Sequence, residues 1–367
     1  MTEQTVNWNI IEEWIHSGLP FAFYRLPDQD MCHGIRQHAG QPEMFEDIAA
    51  LNDREGFVFV PFRADKEHSL YLLSPDEVIE WKCGSVSPDI PPSPEPVPFC
   101  GKLETVPSSE YAADFGCCLS ALREGRLSKV VLSRMKQEPR PAAFSVGRAF
   151  RAACLRYVHS YVYLFYTPQT GMWLGATPEI LLAGEKGGYR TVALAGTQAM
   201  TDGVIPSSWD EKNRREQQYV TDYLLAALRE KGIEPVQNGP FTVTAGSLAH
   251  LKTELDFSLE ASDMLGSLLQ TLHPTPAVCG LPKADAYAFV CGHEHHERAY
   301  YAGFLGMLSP YGRTDLYVNL RCMRIESGRI CCFAGGGLLA SSVLEDEWME
   351  TEKKLQTMKY VIQKGME

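Results

Sequence analysis

Glu347 and Glu350 stand three residues apart in LEDEWMETEKKL, directly after the glycine-rich strand end CCFAGGG. On a helix, positions i and i+3 project from one face. Two carboxylates then point together, while Trp348, Thr351, Leu355 and Met358 form a separate, mostly apolar stripe. Converging carboxylates repel unless a cation, a shared proton or a basic side chain lies between them. Two or three carboxylates plus water is how a protein holds Mg²⁺, a hard cation that keeps part of its hydration shell. A solvated acidic face is the plainer reading of this stretch taken alone.

Other residue types are costly where they stand unless they have work to do. Lys129 falls in LSKVVLSRM, a strand on which Lys129, Val131 and Ser133 share a face. A lysine within a Val/Leu strand must reach water, a partner or a site; it snorkels from an edge strand or serves as a general base. Glu179, in GATPEILLA, enters an apolar strand after a Thr-Pro turn. It faces solvent at the strand start or, in an apolar setting, keeps its proton and serves as a general acid. Glu216 begins the helix row Glu216, Val220, Tyr223, Leu224 and Ala227, as a third oxygen ligand beside Glu347 and Glu350 or as a helix-end residue leaving the core. Arg321, inside DLYVNLRCMRI read as one strand, is matched most naturally by a carboxylate held bidentately. That carboxylate belongs to a ligand or to one of the chain's own 46 acids. Gly335–Gly337, between strand and helix, permit close backbone approach and an amide cradle for an anion. The HEHH run from His293 to His296 is not HExxH. Adjacent histidines on a helix cannot all face one ion, so zinc is not expected there.

The elements that must position these residues are legible in outline. GFVFVPF and SLYLLS read as strands, and residues 85–99, with six prolines, read as an extended connector. Ser108 or Ser109 caps a helix with Tyr111, Phe115, Cys118, Leu119 and Leu122 on its apolar positions, stopped by Gly125. After the Lys129 strand come a helix over about 142–158, the strands YVYLFY, MWLGA, EILLAG and TVALAG, and a long helix over roughly 209–231. RICCFAGG then leads into the C-terminal helix. Strands in runs with long helices between them imply α+β, a layered α/β sandwich, in place of a doubly wound sheet. With 367 residues, 45% hydrophobic, the chain can build one large unit or two to three domains. No run approaches the ~20 apolar residues of a membrane span. MTEQTVNWNI has no basic region followed by an apolar block, so a cytoplasmic protein is expected. A net charge of −12 disfavours nucleic acid and anionic membrane as partners. The eleven cysteines, none in a CxxC pair, read as reduced and packed.

Taken in order, KVVLSR, GATPEILL, ALAGT, KNRREQQYV, HLKT, LHPTPAVCGLP, ERAYYAG, VNLRC, AGGG and EWMET resemble the chorismate-utilising enzymes, the isochorismate, salicylate, anthranilate and aminodeoxychorismate synthases. The resemblance runs from about Ser108 to the C-terminus. It implies a sandwich of large, mostly antiparallel sheets with outer helices, in which 1–100 is a divergent N-terminal portion and 101–367 the chorismate-binding portion. The isochorismate synthases are the most similar subgroup. Ala195 stands where aminodeoxychorismate synthases carry a nucleophilic lysine, and HPTPAVCG differs from the FPAGTLSGAP of anthranilate synthases. A salicylate synthase is the alternative.

The resemblance implies that Mg²⁺ binds a substrate carboxylate, that Lys129 is the general base for water at C2 of chorismate, and that Glu179 protonates the hydroxyl leaving C4. It assigns Glu216, Glu347 and Glu350 to the metal and Arg321, Tyr301 and the Gly337 amide to a substrate carboxylate. Gly196 and Thr197 fall in the ring-binding loop, with His250 and Lys354 as further pocket residues. It also implies a monomer acting on a small molecule that feeds menaquinone or siderophore formation. The chain departs from the family at Gln217, usually histidine, and at His296 and Glu297 in HERAYYAG.

Overall fold

The computed structural model describes residues 8–84, 103–200, 208–245, 248–259 and 264–367; the proline-rich connector at 85–99 lies outside the described residues. In chain order the strands are β1 (Phe21–Arg25), β2 (Met31–Arg36), β3 (Glu43–Phe45), β4 (Gly56–Val60), β5 (Leu70–Leu73), β6 (Glu77–Lys82), β7 (Lys129–Pro139), β8 (Tyr161–Thr167) and β9 (Gly171–Thr177). They continue with β10 (Ile180–Glu185), β11 (Gly188–Ala199), β12 (Val236–Ala245), β13 (Leu248–Ser258), β14 (Gly280–Leu281), β15 (Phe304–Leu308), β16 (Arg313–Val318), β17 (Cys322–Ile325) and β18 (Arg329–Leu338). The α-helices are α1 (Asn9–Ser17), α2 (Ser109–Arg123), α3 (Val146–Arg156), α4 (Glu211–Glu230), α5 (Leu265–Leu272), α6 (Lys283–His293) and α7 (Leu344–Met366).

The strands form two nine-stranded sheets, ordered β14-β7-β18-β17-β9-β8-β1-β2-β6 and β12-β13-β11-β10-β16-β15-β4-β5-β3. Every described pairing is antiparallel. The α+β sandwich expected from the strand runs is therefore present. Strands from before residue 85 sit in both sheets: β1, β2 and β6 in the first, β3 to β5 in the second.

Central strands such as β1 and β4 are buried along their whole length, which is why GFVFV of β4 and FAFY of β1, up to Arg25, run apolar rather than alternating. One face of each packs between the sheets. Phe59 meets Phe165 at 4.3 Å and Tyr161 stacks on Tyr317 at 4.2 Å across that interface. The other face of the first sheet forms a second core, in which Trp14, Phe23 and Phe150 join Leu355 and Met358 of α7 beneath α1, α3 and α7. Ser108 caps α2 by accepting from the Tyr111 amide, and Gly125 (φ +73°) lies just beyond its end, as the sequence indicates.

DLYVNLRCMRI, by contrast, is not one strand. β16 belongs to the second sheet and β17 to the first, and Asn319–Leu320–Arg321 carries the chain between them. Arg321 adopts φ +47°, outside the extended region a strand requires. Asn319 fixes the turn, its Nδ2 donating to the Tyr300 carbonyl at 2.8 Å and its Oδ1 accepting from the Tyr163 hydroxyl at 2.5 Å. Pro178–Glu179 makes the reverse passage from β9 to β10. The two crossovers lie side by side. The Val318 amide donates to the Glu179 carbonyl (2.9 Å), the Ala176 amide to the Arg321 carbonyl (3.1 Å), and the Thr177 hydroxyl to the Val318 carbonyl (2.7 Å).

Thr177 also accepts from the Glu179 amide at 3.2 Å, so Thr177→Val keeps shape and removes the link. Its loss leaves a buried donor unmatched and is expected to cost about 1–3 kcal/mol in urea unfolding. An unchanged midpoint would show that the crossovers do not depend on this hydroxyl.

Candidate active site

Both crossovers open onto one cavity. Its walls include Glu179, Gly196, Thr197, Glu216, His250, Tyr301, Arg321, Gly337, Glu350 and Lys354. Ten of the twelve residues singled out from sequence thus meet there. The other two, Lys129 and Glu347, lie immediately behind the wall.

Lys129 begins β7 and is fully buried. Its strand is covered on one side by β14, where Leu281 pairs with Lys129, and on the other by β18. Snorkelling to water is therefore ruled out for this side chain. Its Nζ lies 3.1 Å from Glu216 Oε1, at an angle too poor for a hydrogen bond. Gly337 permits this approach: a Cβ there would stand 2.0 Å from Glu216 Oε1 and 3.1 Å from Lys129 Cε. Glu179, on its crossover, is 4% exposed. Burial pushes its carboxyl up to about 7 against the opposing pull of Lys129, Lys354 and Arg321. A substantial share is protonated near neutrality.

Arg321 faces the same cavity. Among the described residues no carboxylate comes within ion-pairing distance of it, and burial lowers its pKa. One terminal nitrogen lies 3.4 Å from His250 Nε2. Burial, then Arg321 and Lys354, hold the His250 ring down to about 3, so it is neutral. Its Nδ1 is 3.2 Å from the Gly196 carbonyl and 3.3 Å from the Thr197 hydroxyl. That arrangement assigns the proton to Nδ1 and leaves Nε2 to accept from arginine. Gly196 sits in a bulge of β11 at φ +74°, and a Cβ there would meet the Asn213 carbonyl at 2.9 Å. Asn213 Oδ1 accepts from the Thr197 amide at 2.8 Å. Tyr301 stacks on Phe333 with ring centroids 5.4 Å apart.

The acidic pair on α7 is not a solvated face: Glu347 is buried and Glu350 half-buried. Glu350 Oε1 and the Gly335 carbonyl each take a 2.7 Å hydrogen bond from Lys354 Nζ. Burial works to raise the Glu350 carboxyl, but Lys354, Lys212 and Arg321 outweigh it and hold it below the usual carboxylate range. Glu347 goes the other way: burial and the neighbouring Glu350 push it up to about 7. Its Oε1 is 2.5 Å from Lys212 Nζ, while its buried Oε2 has no hydrogen-bond partner. A Cβ at Gly336 would stand 3.3 Å from that Oε2 and 3.6 Å from Glu350 Oε1, so both carboxylates open over the glycine backbone. The orphaned oxygen and the all-oxygen donor set fit a hard cation. The oxygens of Glu216, Glu347 and Glu350 are not all within 4.8 Å of one another, so the three do not form one closed cage, and a cation there would keep bound water.

Three supports were not evident in the sequence. Lys212 neutralises Glu347; its place at the start of α4, one helical turn before Glu216, was the available signal. Glu294 and Arg298 form a buried pair at 2.6 Å, 4% and 3% exposed. Arg298 also donates to the Val131 and Val278 carbonyls, both of which belong to cavity-lining residues. Glu294 further accepts from the Ser133 amide and hydroxyl. Within the HEHH run, His293 reaches the Phe289 carbonyl, His295 pairs with Asp114, and His296 contacts the Ser133 hydroxyl. Gln217 is buried, its amide nitrogen donating to Thr221 and Thr253, and Glu297 turns outward to His68. None of these touches the cavity.

Fold and cavity together define a large antiparallel sandwich that gathers acidic and basic side chains around one cavity. The family profile described as chorismate binding enzyme matches residues 84–363, and the chain belongs to that family. The isochorismate synthase EntC of Escherichia coli strain K12 is 30% identical over 241 residues, 64% of this chain and 62% of that protein. The salicylate biosynthesis isochorismate synthase of Pseudomonas aeruginosa is 32% identical over 259 residues, 68% of this chain and 54% of its own length. The chain thus spans less than two thirds of these relatives. The solved structure of MenF, the menaquinone-specific isochorismate synthase from Escherichia coli, aligns with TM-score 0.71 at 21% identity, covering 94% of this chain and 88% of that one.

A carboxyl raised by burial makes stability fall as pH rises, because the native state binds the extra proton between the unfolded and native pKa values. For Glu179 that window runs from the ordinary 4.5 to about 7. Glu179→Gln removes the cost of ionising the buried group. Its stability advantage over wild type should grow from about pH 5 to about pH 8, by up to about 3 kcal/mol. A stability difference that does not change with pH in chemical unfolding would contradict the buried acid.

Proposed function

We propose that the protein is an Mg²⁺-dependent isochorismate synthase, adding water at C2 of chorismate with loss of the C4 hydroxyl. The observation that carries this reading is buried Glu179, its carboxyl raised to about 7, in one cavity with the uncompensated Arg321 and with Lys129 behind the wall. An elimination–addition across a ring needs an acid for the leaving hydroxyl and a base for the incoming water. Glu179, with a carboxyl raised to about 7, gives its proton to the C4 oxygen. Lys129 takes one from water on the other ring face. Glu216, 3.1 Å from the lysine nitrogen, supplies the opposing charge.

A dianionic substrate enters an acidic protein only where positive charge is concentrated. Arg321 takes one carboxylate bidentately, helped by the Gly337 amide and Tyr301. Gly196 and Thr197, braced by Asn213 and neutral His250, contact the ring. Glu347 and Glu350, with Glu216, would hold Mg²⁺, which when bound neutralises the second carboxylate. Lys354 keeps Glu350 ionised and oriented for that task.

Incubating the protein with chorismate and Mg²⁺, without ammonia or glutamine, is expected to yield isochorismate by HPLC. Salicylate with pyruvate would assign the salicylate synthase reaction instead, and binding without turnover would remove the catalytic reading. Lys129→Ala and Glu179→Gln should each lower kcat by at least about 10²-fold while circular dichroism is unchanged. Wild-type turnover in either variant would withdraw that residue's role.

Chelation should abolish turnover and leave the fold intact, since the carboxylates are borne by α4 and α7. Glu350→Ala should raise the Mg²⁺ concentration needed for half-maximal rate. Full activity at an unchanged Mg²⁺ requirement would place the cation elsewhere.

A further inference from the structure

Far from this cavity, on the outer face of the first sheet, three thiols converge. Cys32 on β2, Cys83 just past β6 and Cys154 on α3 have Sγ atoms all within 4.8 Å of one another, and all three are buried. The register explains the meeting. Cys32 pairs with Trp81 on one side and Arg25 on the other, and Cys83, two residues past Trp81, returns to the same face. α3 then lays Cys154 over them.

Arg25 makes this more than a packing cluster. It is 1% exposed, and its terminal nitrogens donate to the carbonyls of Leu26, Gln29, Val158, Tyr157 and Ser160. Its Nε has no hydrogen-bond partner, and among the described residues no carboxylate lies within ion-pairing distance. A buried guanidinium held only by neutral carbonyls calls for an anion. Arg25 is the register partner of Cys32, and its charge acts on both Cys32 and Cys83. Hydrogen bonds from Cys154 and Cys32, with Arg25 beyond, draw the Cys83 thiol down to about 4, whereas burial pushes Cys154 up.

We propose that Cys32, Cys83 and Cys154 form a trithiolate site for a divalent thiophilic d¹⁰ cation of the zinc class. Zn–S bonds of about 2.3 Å require sulfurs about 3.8–4.0 Å apart, within the limit seen here. Three thiolates around M²⁺ give M(SR)₃⁻, a single negative charge that buried Arg25 offsets, and the displaced thiol protons leave to solvent. Among the described residues no fourth side-chain ligand joins the group, so a water or a trigonal arrangement completes it. Entry is short, because Cys83 lies between exposed Lys82 and Gly84, just past the edge strand β6. The ion would tie this edge to α3, which packs against α7.

The test uses the reduced full chain under anaerobic conditions, titrated with zinc against a chromophoric chelator and with cadmium in the ultraviolet. Wild type and Cys117→Ser, a variant at an exposed thiol, should each bind one zinc, melt higher with it, and show a thiolate-to-cadmium charge-transfer band. Cys83→Ser and Cys154→Ser should lose at least about tenfold in affinity, together with the zinc-dependent rise in melting temperature. Either serine variant binding zinc as tightly as wild type would overturn the proposal. So would absence of the cadmium band from wild type, a readout that needs no variant to fold.

Discussion

The site depends on two chain crossings that are hydrogen-bonded to each other. A sandwich of two sheets has a dry interior, and the chain can bring polar side chains into it cheaply only where the backbone itself passes from one sheet to the other. Pro178–Glu179 and Asn319–Arg321 make two such passages in opposite directions, and the Thr177 hydroxyl and the amides of Ala176 and Val318 lock them together. The result is a carboxyl and a guanidinium presented from neighbouring backbone segments to one cavity. Because both are fixed by backbone hydrogen bonds, their burial is enforced by the fold and not by their own preference.

Charge balance around that cavity follows. Lys129 faces Glu216, Lys212 faces Glu347 and Lys354 faces Glu350, leaving Glu179 and Arg321 without a close ionic partner among the described residues. Burial raises the Glu179 carboxyl to about 7, and Arg321 stays uncompensated. Glu347, crowded by Glu350 and buried, also holds its proton up to about 7. A cation arriving there would replace that proton. The cavity thus combines two carboxyls raised to about 7, Glu179 and Glu347, with a guanidinium that has no close ionic partner among the described residues, and the proposed function gives each of the three a role.

Much of this was readable from residue type and spacing. The i, i+3 pair on α7, the glycine-rich end of β18 and the lysine in KVVLSR were costly enough in context to signal a site. The helix start at Ser108 and its stop at Gly125 followed from capping chemistry. The sheet change inside DLYVNLRCMRI was not readable, because the apolar pattern runs on unbroken and only Asn319 and the left-handed backbone of Arg321 mark the turn. The basic partners Lys212 and Lys354 lay in stretches whose charge pattern alone suits a solvated helix face. The trithiol was invisible for a different reason. Its members lie on β2, past β6 and on α3, and only strand register and helix placement bring them together.

The most direct measurement is of the Glu179 proton itself. Infrared difference spectra of wild type against Glu179→Gln, taken from about pH 5 to about pH 9, isolate the stretch of the protonated carboxyl. The band should persist at neutral pH and titrate away with a midpoint near 7. A midpoint at the ordinary carboxylate value would mean that the crossover does not hold a buried acid, and the chemistry built on it would fall.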